Sequence, residues 1–165
     1  MSITVKRVVV GVHGSPGSLR ALRFALNRAY TLGAELVPVI AWEPPGGDSA
    51  FRRYPPMVTD EWAAQAEDRL MAILEDVLEG EAEHGVLLDS PAQPHVVRGR
   101  AGHVLVSIAG QDTDLLVIGA GQRGPLRRAM YGSVPHFCLA HARCEVVVVP
   151  TGVPALRLGR VGASH

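Results

Sequence analysis

The stretch LLVIGAGQRGPLRRAMYGS, residues 115–133, decides how this chain is expected to fold. Residues 115–118 are Leu, Leu, Val and Ile, a run of buried-strand character that stops at Gly119, Gly121 and Gly124. Glycines directly after a strand let the backbone turn sharply and present uncovered N–H groups. A basic segment with Arg123, Arg127 and Arg128 follows, and Gly132-Ser133 opens an amphipathic segment predicted as a helix over 133–142. A helix N-terminus adds further free N–H groups and a partial positive charge. Such a strand, glycine loop and helix together make a place to hold phosphate.

Working outward, the same alternation recurs. Residues 7–12 form a continuous apolar run, as expected of a strand buried on both faces. Ser15 is suited to be a helix N-cap, and Pro16 needs no N–H at the first helical position. Leu19, Leu22, Leu26 and Ala29 then share one helical face, and Gly33 ends the helix. Glu35–Trp42 reads as a second strand, with Pro38 predicting a bulge or interrupted pairing. Residues 43–58 are expected to be a long loop, and Thr59 or Asp60 to cap a helix buried through Trp62, Ala66, Leu70, Ile73, Leu74 and Val77. His95–Arg98 is favoured over residues 86–88 as the third strand. A helix over 102–109 is expected to face inward through Val104, Leu105 and Ile108. Glu145–Val149 supplies a fifth strand.

The order β-α-β-α-β-α-β-α-β implies an α/β fold: an open five-stranded parallel sheet, order 3-2-1-4-5, with helices on both faces. Ligands of such sheets bind beyond the carboxyl ends of the strands, where strand order reverses. The loops at 11–18, 41–58 and 119–132 are therefore expected to meet at one crevice. Residues 1–150 are expected to form one domain and residues 151–165 a flexible C-terminal tail.

Composition narrows the function. The chain has 165 residues, is 47% hydrophobic and carries no formal net charge. That balance argues against general attraction to nucleic acid. Residues 60–83 concentrate nine carboxylates, the expected solvated face of a helix. No apolar run reaches membrane-spanning length, and no signal-peptide pattern opens the chain, so a cytoplasmic protein with no membrane partner is expected. Two cysteines, Cys138 and Cys144, imply no disulfide framework. The seven histidines lack metal-ligand spacing; His136 and His141 lie about 140° apart around an ideal helix.

Gly119 to Gly124 fits G-x-G-x-x-G, the dinucleotide fingerprint of an NAD- or FAD-dependent oxidoreductase. Its context does not. The fingerprint opens a first βαβ unit, whereas here one helix and one strand remain, and Glu145 stands at the wrong end of that strand to hold a ribose. Taken over its whole length, the motif resembles the nucleotide loop of the universal stress protein family: G-x-x-G, nine residues, then G-[ST]. Residues 8–15, VVVGVHGS, resemble that family's first strand and turn, and Ala41-Trp42-Glu43-Pro44 the end of its second strand. Residues 114–119, 132–134 and 141–149 are similar to its C-terminal third. The resemblance covers residues 6–150.

That resemblance implies a stress-response module binding ATP, AMP or a related adenine nucleotide, with adenine near Ala41. Gly119, Arg123, Gly132 and Ser133 would form the phosphate side, with Gly121 and Val134 also among the binding residues. Two positions depart from the family pattern. Gln122 stands where the second motif glycine belongs, and His13 where an acidic residue lies by the ribose. No catalytic residue is assigned; slow ATP hydrolysis is the most chemistry implied. A homodimer through the apolar strand Glu145–Val149 is expected, both from the exposed edge such a strand presents and from the resemblance. The alternative function is a nucleotide-free member acting through protein–protein contacts.

Overall fold

In the computed structural model, which describes residues 2–120 and 134–150, five parallel strands form one sheet in the order β3-β2-β1-β4-β5. They are β1 (Arg7–Gly11), β2 (Glu35–Trp42), β3 (His95–Arg98), β4 (Asp114–Gly119) and β5 (Glu145–Val149). The helices are α1 (Pro16–Leu32), α2 (Pro56–Glu83), α3 (Ala101–Ile108) and α4 (Val134–His141). This is the expected doubly wound architecture.

Side-chain alternation along the strands sorts the core into two layers. Val8, Val10, Leu36, Ile40, Leu115 and Val117 point to one face, under Leu22, Leu26, Leu70 and Leu74 of α1 and α2. Val9, Val37, Leu116, Ile118, Val146 and Val148 point to the other, under Val104, Leu105 and Cys138 of α3 and α4. Strands covered on both faces need apolar residues at every position, which is why residues 7–12 and 145–149 carry no polar alternation.

Local chemistry places the helix ends. Ser15 Oγ accepts from Ser18 N at 3.2 Å, Pro16 occupies the first turn, and Gly33 closes α1 in the left-handed region at φ 60°. At the opposite end of the sheet, Arg7 grips the buried Asp114 through Nε and a terminal nitrogen at 2.9 and 2.7 Å. Arg7 also donates to Ile108 O at 3.0 Å, and Asp114 accepts from Gln111 N at 3.0 Å. These bonds tie β1, β4 and the end of α3 together.

Several expectations are corrected. Thr59 and Asp60 do not cap α2, which starts at Pro56 after Pro55. The Pro-Pro pair pre-sets the backbone for the first turn, and the buried Thr59 Oγ1 instead donates to Pro56 O at 2.9 Å. The stretch 43–58 is not one open loop: Asp48–Arg53 forms a 3-10 helix. Pro38 causes no bulge, since residues 7–11 pair with 35–39 without interruption. Leu36 O and Trp42 O both accept from the β3 side, so the alternate residue Pro38 turns the same way, and it does so just before β3 begins opposite Val39. Residues 86–88 form no strand; His95–Arg98 does.

Candidate functional site

A cavity of about 240 Å³ lies beyond the carboxyl ends of β1, β2 and β4. Strand order reverses there, between β1 and β4. Its floor is apolar, made by Val12, Val39, Ala41, Leu105 and Ile118. Gly11 and Gly119 line it at the strand ends, and Val134-Pro135 line it from the start of α4. The polar lining comes from His13, Ser15 and Ser18 in the β1–α1 turn. The size is near the lower end of small-ligand clefts, roughly 300–1,000 Å³.

Of the expected site residues, Ala41, Gly119 and Val134 come together on this lining. Gly121, Arg123, Gly132 and Ser133, with Gln122, lie outside the described residues. So does the 151–165 stretch expected to be a tail. The 11–18 loop meets the cavity as expected, but the 43–58 stretch contributes nothing to the lining among the described residues. It turns instead to Arg98 at the end of β3. The Arg98 guanidinium lies 3.6 Å over the Phe51 ring, and its Nε is 2.8 Å from Asp48 Oδ1.

Gly119 acquires a packing reason. A Cβ there would meet Gly17 O at 2.5 Å and Gly17 C at 2.6 Å. The first turn of α1 sits directly on the end of β4, so the bare Cα of Gly119 lets the two elements meet. Gly11 is similarly close to α3, where an added Cβ would lie 3.0 Å from Leu105 Cδ1.

Sequence reasoning missed Ser18 and the contribution of α3 to the cavity. Ser18 is buried, and its Oγ donates to Ser15 O at 3.1 Å while accepting from Gly14 N at 3.0 Å and His13 N at 3.3 Å. The His13 and Gly14 amides are thereby consumed inside the protein rather than held out to an anion. A serine three residues after an N-cap serine was the available signal. Ala101 and Leu105 of α3 both line the cavity; Leu105 was legible only as a core residue. Ser15, read as a cap, also stands with its Oγ 3.3 Å from His13 Nε2.

The universal stress protein family model matches residues 4–150. The chain belongs to the universal stress protein family. Its relatives include universal stress protein Slr1101 of Synechocystis sp., 35% identical over 77 residues that make up 46% of this chain and 71% of that protein. Universal stress protein Rv2005c of Mycobacterium tuberculosis is 30% identical over 147 residues, 86% of this chain but 44% of its own length. This universal stress protein chain therefore spans under half of its mycobacterial relative. Among solved structures, UspA from Lactobacillus plantarum overlays with a TM-score of 0.61 at 23% identity, covering 89% of this chain and 99% of that one. A universal stress protein in complex with cAMP overlays at 0.64 and 24% identity, covering 88% and 97%. These overlays show the shared Rossmann-like fold. Among the described residues no helix is long and apolar enough to cross a membrane.

Proposed function

We propose that this universal stress protein is a cytoplasmic binding module for an adenine nucleotide, and not a dedicated catalyst. The observation that carries the reading is the cavity at the β1–β4 reversal. Its apolar floor of Val39, Ala41, Leu105 and Ile118 suits one flat heteroaromatic ring, and Gly119 marks where the chain continues into the glycine loop. The base packs by Ala41 and Val134. The phosphates lie along Gly119, Gly121, Arg123, Gly132 and Ser133, where backbone N–H groups and a guanidinium supply charge-assisted bonds worth about 1.5–3 kcal/mol each. The cAMP complex of a family neighbour supports an adenine ligand. Residues 1–150 act as the binding domain, with 151–165 as an appended tail.

Calorimetric titration with ATP, AMP and NAD tests this. Heat with an adenine mononucleotide, strengthened by Gln122→Gly and weakened by Ser133→Ala, is expected. Tight NAD binding without response to ATP would instead point to the dinucleotide oxidoreductase.

A second reading is favoured by β5. Among the described residues this strand, EVVVV, stands at the edge of the sheet with one side of its backbone unpaired by another strand. It offers a template for a second copy or a protein partner. A nucleotide-free member working through such contacts would show no heat with any nucleotide.

A further inference from the structure

Among the described residues lining the cavity, His13 is the one side chain that ionises. The remaining lining from β1, β2, α3, β4 and α4 is apolar, glycine or serine. On the far side of the turn, α2 approaches through Ile73, whose Cδ1 lies 3.4 Å from where a Gly14 Cβ would stand. The charged residues one helical turn either side of Ile73 are Arg69 and Asp76, opposite in sign and both exposed. The charge of the described cavity wall is therefore set by one imidazole, and imidazole is the side chain whose charge ordinarily changes between about pH 5 and 8.

The Ser15 contact makes that change count twice. A hydroxyl has one proton to donate and two lone pairs. Ser15 Oγ already accepts from Ser18 N at 3.2 Å, so one lone pair is committed to capping α1. In the neutral Nδ1–H form of His13, Nε2 at 3.3 Å accepts a hydrogen bond from the Ser15 hydroxyl. With His13 protonated on both nitrogens, Nε2–H donates to the second Ser15 lone pair, and the hydroxyl proton is released to a ligand. The rim then gains a positive charge and a hydroxyl donor in one step. Ser18 cannot compensate, because its own proton is held by Ser15 O.

Resting on the adenine-nucleotide reading, we infer that His13 and Ser15 form a proton-gated phosphate contact, which makes this cavity take a phosphate-bearing nucleoside more tightly as pH falls. The ligand's phosphate oxygen accepts from the protonated His13 ring and the released Ser15 hydroxyl. Replacing a neutral by a charge-assisted hydrogen bond strengthens binding about tenfold. A nucleoside without phosphate has nothing to place there and gains little.

Cyclic AMP is the probe, because its phosphodiester keeps one charge across this range, whereas a phosphomonoester itself titrates near pH 6. Cyclic AMP and adenosine are titrated calorimetrically into the full chain and into His13→Gln, at about pH 5 and about pH 8. Cyclic AMP is expected to bind the unaltered chain about tenfold more tightly at the lower pH. Adenosine should bind alike at both, and His13→Gln should bind cyclic AMP alike at both. By reciprocity, saturating cyclic AMP should raise the midpoint of the His13 ring resonances by about one pH unit, and adenosine should not. If adenosine binds but cyclic AMP shows no gain, or an equal gain persists in His13→Gln, the gate is overturned while the nucleotide site stands. A matching gain for adenosine would show that acid reshapes the cavity rather than charging its rim, and would also overturn it. If neither compound binds at either pH, the nucleotide reading fails and takes the gate with it.

Discussion

Gly119 shows how one missing side chain serves two elements. Its Cα meets the first turn of α1 so closely that a methyl group would fall 2.5 Å from Gly17 O, which is backbone and cannot rotate away. Gly119→Ala is therefore expected to cost about 1–3 kcal/mol, as overpacking does, with the urea midpoint falling at unchanged slope. A fully stable variant would mean that α1 slides on β4 without penalty. Cys138 is a second telling residue. Burial raises its thiol from the usual range to about 12, with the nearby Cys144 adding to the rise. The folded protein then holds this proton more tightly than the unfolded chain. Its contribution to stability is whole below the unfolded value near 9 and is lost as pH climbs towards about 12, by up to ~1.4 kcal/mol per pH unit. Denaturation of the unaltered chain and Cys138→Ala from neutral to strongly alkaline pH should show a steeper decline for the former. Parallel curves would contradict the buried-thiol account.

The segment between β2 and α2 illustrates why length alone says little about a connection. Its 3-10 helix is clasped by side chains from β3 and α2: Arg98 over Phe51, Asp48 to Arg98, and Tyr54 edge-on to Trp62 at 4.8 Å. The Asp48–Arg98 pair is half exposed and contributes little alone. The Phe51 contact, also 6.5 Å from the Trp42 ring, is the more substantial. Phe51→Ala should free the segment, giving faster proteolysis within 44–54 while global stability falls by about 1 kcal/mol or less. Limited proteolysis at native pH checks this, and an unchanged cleavage rate would place the restraint elsewhere. On the opposite sheet face, α3 and α4 meet where Gly102 leaves room for Phe137, which lies between the rings of His103 and His141 at 4.2 Å each. Any side chain at position 102 would press on Phe137 and move α4, with Val134, away from the cavity.

For the molecule as a whole, the feature that bears on assembly is the β5 end of the sheet. β5 is buried by helices on both faces, yet among the described residues it is the last strand on its side of the sheet. A homodimer through Glu145–Val149 predicts that sedimentation of the full chain and of a chain ending at Pro150 both give twice the monomer mass. Dimerisation of the shorter chain alone would mean that residues 151–165 occupy the edge. A monomer in both would remove the dimer.

Strand positions, strand order and the presence of a cavity at the carboxyl ends were legible because local patterns determine them. Apolar runs bounded by Gly, Pro and Ser mark buried parallel strands, and right-handed crossovers leave few topologies. The family resemblance lay in the order and spacing of those punctuating residues. Where expectation and structure parted, contacts distant in sequence had intervened. Pro38 lies unbulged because β3 begins one position later. The 43–58 stretch folds back because Arg98 waits at the end of another strand. α3 supplies Leu105 to the cavity from a distant part of the chain, whereas Ser18 takes up the His13 and Gly14 amides through bonds local in sequence. The sequence by itself determined the doubly wound sheet and the family. Only the tertiary structure decided that Gly119 is demanded by the approach of α1, and that His13 stands alone as the ionising group on the described cavity wall, because both depend on elements brought together by packing rather than by chain neighbourhood.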